Sequence, residues 1–217
     1  MVIMLDMKKY RTKLKGMSSQ EIEEEIRVRK KEITDLKKDV EFRILHPGVE
    51  MYPDPSFTLL LRQSELTCAI AAYEKTGETY QRDEIEQRAV EFDAVIPKMT
   101  KIVLSIDRLG KHSIRTITFV GEHIKLQMEP RSYKPFFYNN DLEYRDGKKV
   151  FFKVFRDVHM GEWDRYYNGQ EAKNETQWEV TIEYKDGQTI KFVGKDAYPF
   201  SFELFCPLVG YDGKFYE

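Results

Sequence analysis

The densest group of side chains able to do chemistry is the run His159, Glu162, Asp164 and Arg165 around Trp163. An imidazole three residues before a carboxylate shares its helical face, and such a pair can move protons or begin a metal site. A metal site needs a third ligand, and local spacing does not supply one. The structural alternative is a helix terminus where His159 meets the dipole and Trp163 plugs a core. The other histidines, His46, His112 and His123, stand alone. No HExxH, GxSxG, P-loop or GxGxxG pattern is present. No cofactor and no metal are expected, and the absence of a catalytic signature favours a non-enzymatic protein.

A second feature is a helix face. Residues 18–41 open with Ser18 and Glu21 at capping-box spacing. Acidic residues fill the first turns and Lys37 and Lys38 the last. Ile22, Ile26, Ile33, Leu36 and Val40 make a heptad seam, with Arg29 in one of its core slots. Glu23–Arg27 and Glu25–Arg29 have i,i+4 spacing. A narrow seam on a charged rod either packs on its own body or receives another helix, from a protein partner or a second copy. Three heptads are short for a self-sufficient coiled coil. The basic run Arg27–Lys31 is flanked by acids and reads as a solvated face.

These groups need a scaffold. The chain has 217 residues, 41% apolar, 33% charged and 13% aromatic, and a net charge of −2. That composition is globular, and its charge balance gives no global reason to bind nucleic acid. Two distant cysteines, Cys68 and Cys206, exclude a disulfide framework and read as buried thiols. No run reaches the length of a membrane span, and the short apolar start does not form a signal peptide, so a cytoplasmic protein is expected.

The Pro/Gly-rich stretch His46–Pro55 separates a helical arm, 1–45, from an α+β domain, 51–217. Phe57–Leu61 reads as a short strand. Helices follow from Ser64 to Tyr73, ended by Gly77, and from Arg82 to Ala94, with Ile85, Ala89 and Phe92 inward and Pro97 as stop. The period then changes to two. Ile102, Leu104 and Ile106, then Ile117 and Phe119, then Ile124, Leu126 and Met128 make a three-stranded antiparallel meander. Phe151, Val154, Phe155 and Val158 predict a helix over 148–159 capped by Asp146 and stopped by Gly161. In TQWEVTIEYKDGQTIKFVG, Trp178, Val180, Ile182 and Tyr184 share one face, Asp186-Gly187 turns, and Ile190 and Phe192 return. Ser201–Cys206 closes as a helical turn broken by Pro207. The fold class is α+β: an antiparallel sheet of about five strands packed by helices, with a long N-terminal helix.

The strings HMGEWDRYY, QWEVTIEYKDG and GKDAYPFSF resemble uncharacterised proteins of gut clostridia, which carry a GEW-then-Tyr element, a TQW strand pair and an AYP segment before a closing helix. Where that family has Gly before TQW, this chain has Glu175. The resemblance implies an α+β fold and no particular chemistry.

Three functional expectations follow. The first is a non-enzymatic interaction module working through Ile22, Ile26, Arg29, Ile33, Leu36 and Val40. The second is a small enzyme or ligand-binding domain at His159, Glu162 and Asp164. The third is a nucleic-acid binder using Arg27–Lys31 or the aromatic stretch Tyr133–Tyr138 with Arg131 and Lys134.

Overall fold

The computed structural model describes residues 2–46, 48–129, 147–169 and 176–211. The chain divides into two compact units, 1–82 and 83–217. The expected Asp146 cap and the aromatics Tyr133–Tyr138 lie outside the described residues.

The first unit is three helices: α1 (Val2–Leu14), α2 (Ser19–Leu45) and α3 (Pro55–Lys75). The expected capping box starts α2, with the Ser18 amide donating to Glu21 at 2.7 Å and the Glu21 amide donating to Ser18 Oγ at 3.4 Å. The helix runs on to Leu45, so Lys37 and Lys38 are internal rather than terminal. Arg27 pairs with Glu24 one residue nearer than expected, at 2.7 Å. Phe57–Leu61 is helical, not a strand. Asp54 accepts from the Ser56 and Phe57 amides and Pro55 stands at the first helical position, so the apolar run starts inside a capped helix. Ser64 sits mid-helix and donates to the Leu60 carbonyl. Thr76 and Gly77 (φ 93°) end α3, as the glycine foretold. Contacts of Arg43 with Asp54 near the turn and of Arg29 with Glu65 farther along set α2 and α3 antiparallel.

The described residues of the second unit form a six-stranded sheet with α4 (Glu84–Val95), α5 (Gly147–Arg156) and α6 (Phe202–Leu208). Its strands are β1 (Met99–Arg108), β2 (Lys111–Val120), β3 (His123–Glu129), β4 (Tyr166–Asn168), β5 (Thr176–Tyr184) and β6 (Thr189–Lys195), in spatial order β3-β2-β1-β5-β6-β4. The meander and the hairpin are therefore one sheet, joined by antiparallel pairing of β1 with β5. The five expected strands are present. The short β4 adds a sixth, parallel to β6.

One face of the sheet is greasy. Ile102, Leu104, Ile106, Val180 and Ile182 are each at most 2% exposed. The inward side of α5 is Phe151, Phe152 and Phe155, followed by Val158; Val154, expected inward, is exposed because Phe152 takes its place against Phe119. Ile85 on α4 is exposed as well, leaving Phe92 as that helix's buried anchor. α6 extends to Leu208, one residue beyond Pro207, which cannot donate to the Glu203 carbonyl, and the helix stops directly after it. Gly194 lies opposite Trp178 on the buried face, and a Cβ there would overlap the indole, so glycine gives the ring its seat.

Among the described residues, no helix is long and apolar enough to cross a membrane. Cys206 is buried, while Cys68, expected buried, is only half-buried.

Candidate functional site

The His159 region forms on the connection between α5 and β4. His159 takes a left-handed conformation (φ 53°) that ends the helical path and opens a 3-10 turn at Met160–Glu162. Its Nδ1 lies 3.1 Å from Glu162 Oε1, so the expected imidazole–carboxylate pair is present. Asp164 does not point the same way. Its carboxylate is exposed and faces Arg88 Nη2 at 3.7 Å. Arg88 Nε donates to the Gly161 carbonyl at 3.0 Å and Nη2 to the Glu162 carbonyl at 3.2 Å, which pins the 3-10 turn to α4. Gly161 permits that approach, since a Cβ there would press on the Ala89 backbone and Phe92. Trp163 is 1% exposed and its indole N–H donates to Ser201 Oγ at 2.8 Å. It plugs the core, as the structural alternative held.

The sequence did not point to Asp93 as a member of this group. It is half-buried on α4, and burial holds its carboxyl above the ordinary range; Glu162 adds to that, while His159 and Arg156 pull it down. A carboxyl raised in the folded state binds its proton more tightly there than in the unfolded chain. Its ionisation therefore subtracts stability as pH rises above the ordinary carboxylate range. Asp93→Asn is expected to raise the melting temperature at pH 7, with the gain shrinking as pH falls toward 4. Thermal melts of both proteins across that range check this, and a variant less stable at pH 7 would contradict it. Among the described residues, no three His, Cys, Asp or Glu side chains group to hold a metal ion.

The seam on α2 lies within the first unit. Ile22, Ile26, Ile33 and Val40 are buried and Leu36 half-buried. Ile22 and Ile26 pack with Tyr10 and Leu14 of α1 and Ala69 of α3. Arg29 sits among carboxylates, with Nη2 2.7 Å from Glu25, Nε 3.0 Å from Glu65, and Glu32 against Nη1. Arg62 completes the array on Glu32 and Glu65, and Lys13 on Glu25. The basic run is thus divided: Arg27 is paired to Glu24, Arg29 is enclosed, and Lys30 reaches Tyr80.

A third location comes from strand register. On the face opposite the core, His112, Asp107, Gln177, Lys195 and Asn168 stand in one row across β2, β1, β5, β6 and β4. All five are exposed. The next row brings Ser105, Glu179, Val193 and Tyr166. Together they line a trough of about 550 Å³, with the Tyr166 ring 81% exposed at one end. His112 Nδ1 is 3.8 Å from Asp107 Oδ2. Glu179 takes Lys191 Nζ at 2.9 Å. Below Lys195 the end of the hairpin is fixed: the Thr176 amide donates to Asp196 Oδ1 at 2.8 Å, and the Gly169 amide donates to the Lys195 carbonyl at 2.9 Å.

The chain matches no protein-family model, no curated protein and no solved structure. The trough could not be found from a linear motif, because its residues come from five strands and meet only through pairing. Local alternation was the available signal: TQWEVTIEY places Gln177 and Glu179 on the face away from Trp178, and Ile102, Leu104 and Ile106 place Ser105 and Asp107 likewise.

Proposed function

We propose that this protein is a non-enzymatic interaction module that holds an extended segment of a protein partner across the exposed polar face of its sheet. The observation that carries this is the row His112, Asp107, Gln177, Lys195 and Asn168: five exposed polar side chains, one per strand, in a single register. Strands lie about 4.8 Å apart, so the row spans roughly 19 Å. That is the length of about six residues of extended chain. Imidazole, carboxylate, amide, ammonium and amide groups in sequence offer both donors and acceptors to a peptide backbone. Tyr166 at the rim belongs to the residue types, with Trp and Arg, that are enriched as anchors of such contacts. The α2 seam, being packed against its own unit, is not the surface this reading uses.

A peptide library displayed against the full chain tests the reading. Enriched peptides should share a polar consensus. Tyr166→Ala and Lys195→Glu should each weaken them about tenfold or more, while Lys125→Glu on β3 should not. Enriched peptides that bind Tyr166→Ala as well as the parent would overturn the proposal. Binding lost on His159→Gln and kept in Tyr166→Ala would favour the rival site at His159 and Glu162.

A further inference from the structure

The first unit contains a groove that the sheet does not share. The last turn of α1, the start of α2 and the second half of α3 enclose about 640 Å³, within the range of small-molecule sites of roughly 300–1,000 Å³. Leu14 and Ile22, 4% and 2% exposed, contribute its apolar lining, together with the half-buried Met17 and Ala72. Two small residues, Ala71 and Ala72, leave the space open on the α3 side.

Among the described residues, every charged side chain lining this groove is a cation: Arg11, Lys15 and Lys75. The chain as a whole carries more carboxylates than cations, 37 against 35, so the local excess runs against composition. Four carboxylates of this unit are engaged elsewhere. Glu25, Glu32 and Glu65 hold Arg29, and Glu21 caps α2. Among the described residues, neither Lys15 nor Lys75 has an ion-pair partner. Arg11 spends Nε on the Cys68 sulfur at 3.4 Å. An apolar trough with cations on its lip and, among the described residues, no lining carboxylate is complementary to an aliphatic tail ending in an anion.

We propose that this groove binds a free linear alkyl carboxylate of fatty-acid type. The tail lies along Leu14, Ile22 and Ala72. The carboxylate meets the terminal nitrogens of Arg11, a planar fork suited to two parallel hydrogen bonds, with Lys15 and Lys75 adding attraction. The site is independent of the sheet trough and requires nothing of it.

Isothermal titration of the full chain with dodecanoate tests this, with decanoate and dodecyltrimethylammonium as comparisons. One equivalent of dodecanoate should bind. Removing two methylenes should weaken binding about tenfold. The cationic amphiphile should bind far more weakly than dodecanoate. Arg11→Glu should reduce dodecanoate affinity about tenfold, and Ala71→Trp should abolish it by filling the groove. Both positions are exposed, so thermal melts should match the parent. Equal binding of dodecyltrimethylammonium, or undiminished binding in Ala71→Trp, would overturn the proposal. So would cosedimentation with phosphatidylglycerol vesicles without dodecanoate binding.

Discussion

Arg29→Ala is expected to destabilise the three-helix unit by about 3–5 kcal/mol, the usual cost of removing one partner from an enclosed ion pair. The Arg29 side chain is 13% exposed, and Glu25 and Glu65 beside it are 11% and 9% exposed. Alanine would leave both carboxylates short of a counter-charge where water reaches them poorly. Lys13 still serves Glu25 and Arg62 still serves Glu65, so the array is weakened rather than abolished. The effect should depend on pH. Burial pushes the Glu25 carboxyl up, but hydrogen bonding to Lys13 and the charges of Arg29 and Lys13 outweigh it, and the net position is below the ordinary range. A depressed carboxyl contributes stability above its unfolded pKa and loses it as pH falls through its folded value. The gap between parent and variant should therefore be widest near neutrality and close in acid. Arg29→Met with Glu65→Met removes one charge of each sign and should recover much of the loss. Urea titrations at pH 7 and pH 4 measure all three proteins. A single variant as stable as its parent at pH 7 would show the array to be energetically idle.

Trp163→Ala is expected to cost a similar 3–5 kcal/mol in the sheet unit. The indole is 1% exposed and meets Phe192 at 5.5 Å, Phe205 at 5.7 Å, Phe202 at 5.9 Å and Trp178 at 6.3 Å between ring centroids. Removing it opens a cavity among rings drawn from β5, β6 and α6. It also takes the donor from Ser201, whose own hydroxyl donates to the Val158 carbonyl at 2.5 Å. Trp163→Phe should keep most of the packing and cost about 1–2 kcal/mol, chiefly the lost hydrogen bond and some of the filled volume. The chain has two tryptophans, so the remaining Trp178 reports unfolding of this unit by fluorescence. Denaturation midpoints that do not move in Trp163→Ala would refute the central role given to the ring.

What could be read in advance follows from how far apart the interacting residues are. The β5–β6 hairpin was legible because Trp178, Val180, Ile182 and Tyr184 alternate with polar neighbours, and one face of that strand is buried. The capping box was legible because both partners lie within one turn. The pairing of β1 with β5 was not, because Leu104 carries no local mark of Val180 as its neighbour. The pair of Arg29 with Glu25 was legible from its i,i+4 spacing, but the Glu65 partner was hidden for the same reason, since it stands on the next helix. The seam was seen correctly as apolar, but nothing in a heptad says which helix fills it. Phe57–Leu61 was misread from its apolar run, although Asp54-Pro55 just before it has the composition of a helix start. The trough and the basic groove are properties of assembly, and neither has a contiguous signature.

The position of β1 also bears on how the chain is made. Its one neighbour, β2, follows at once across a two-residue turn, but its other, β5, emerges from the ribosome much later. Until then the β1 backbone facing β5 is left with unpaired N–H and C=O groups, the kind of edge that recruits strands from other molecules. The interval between synthesis of Arg108 and of Tyr184 is thus the period in which this border stays open.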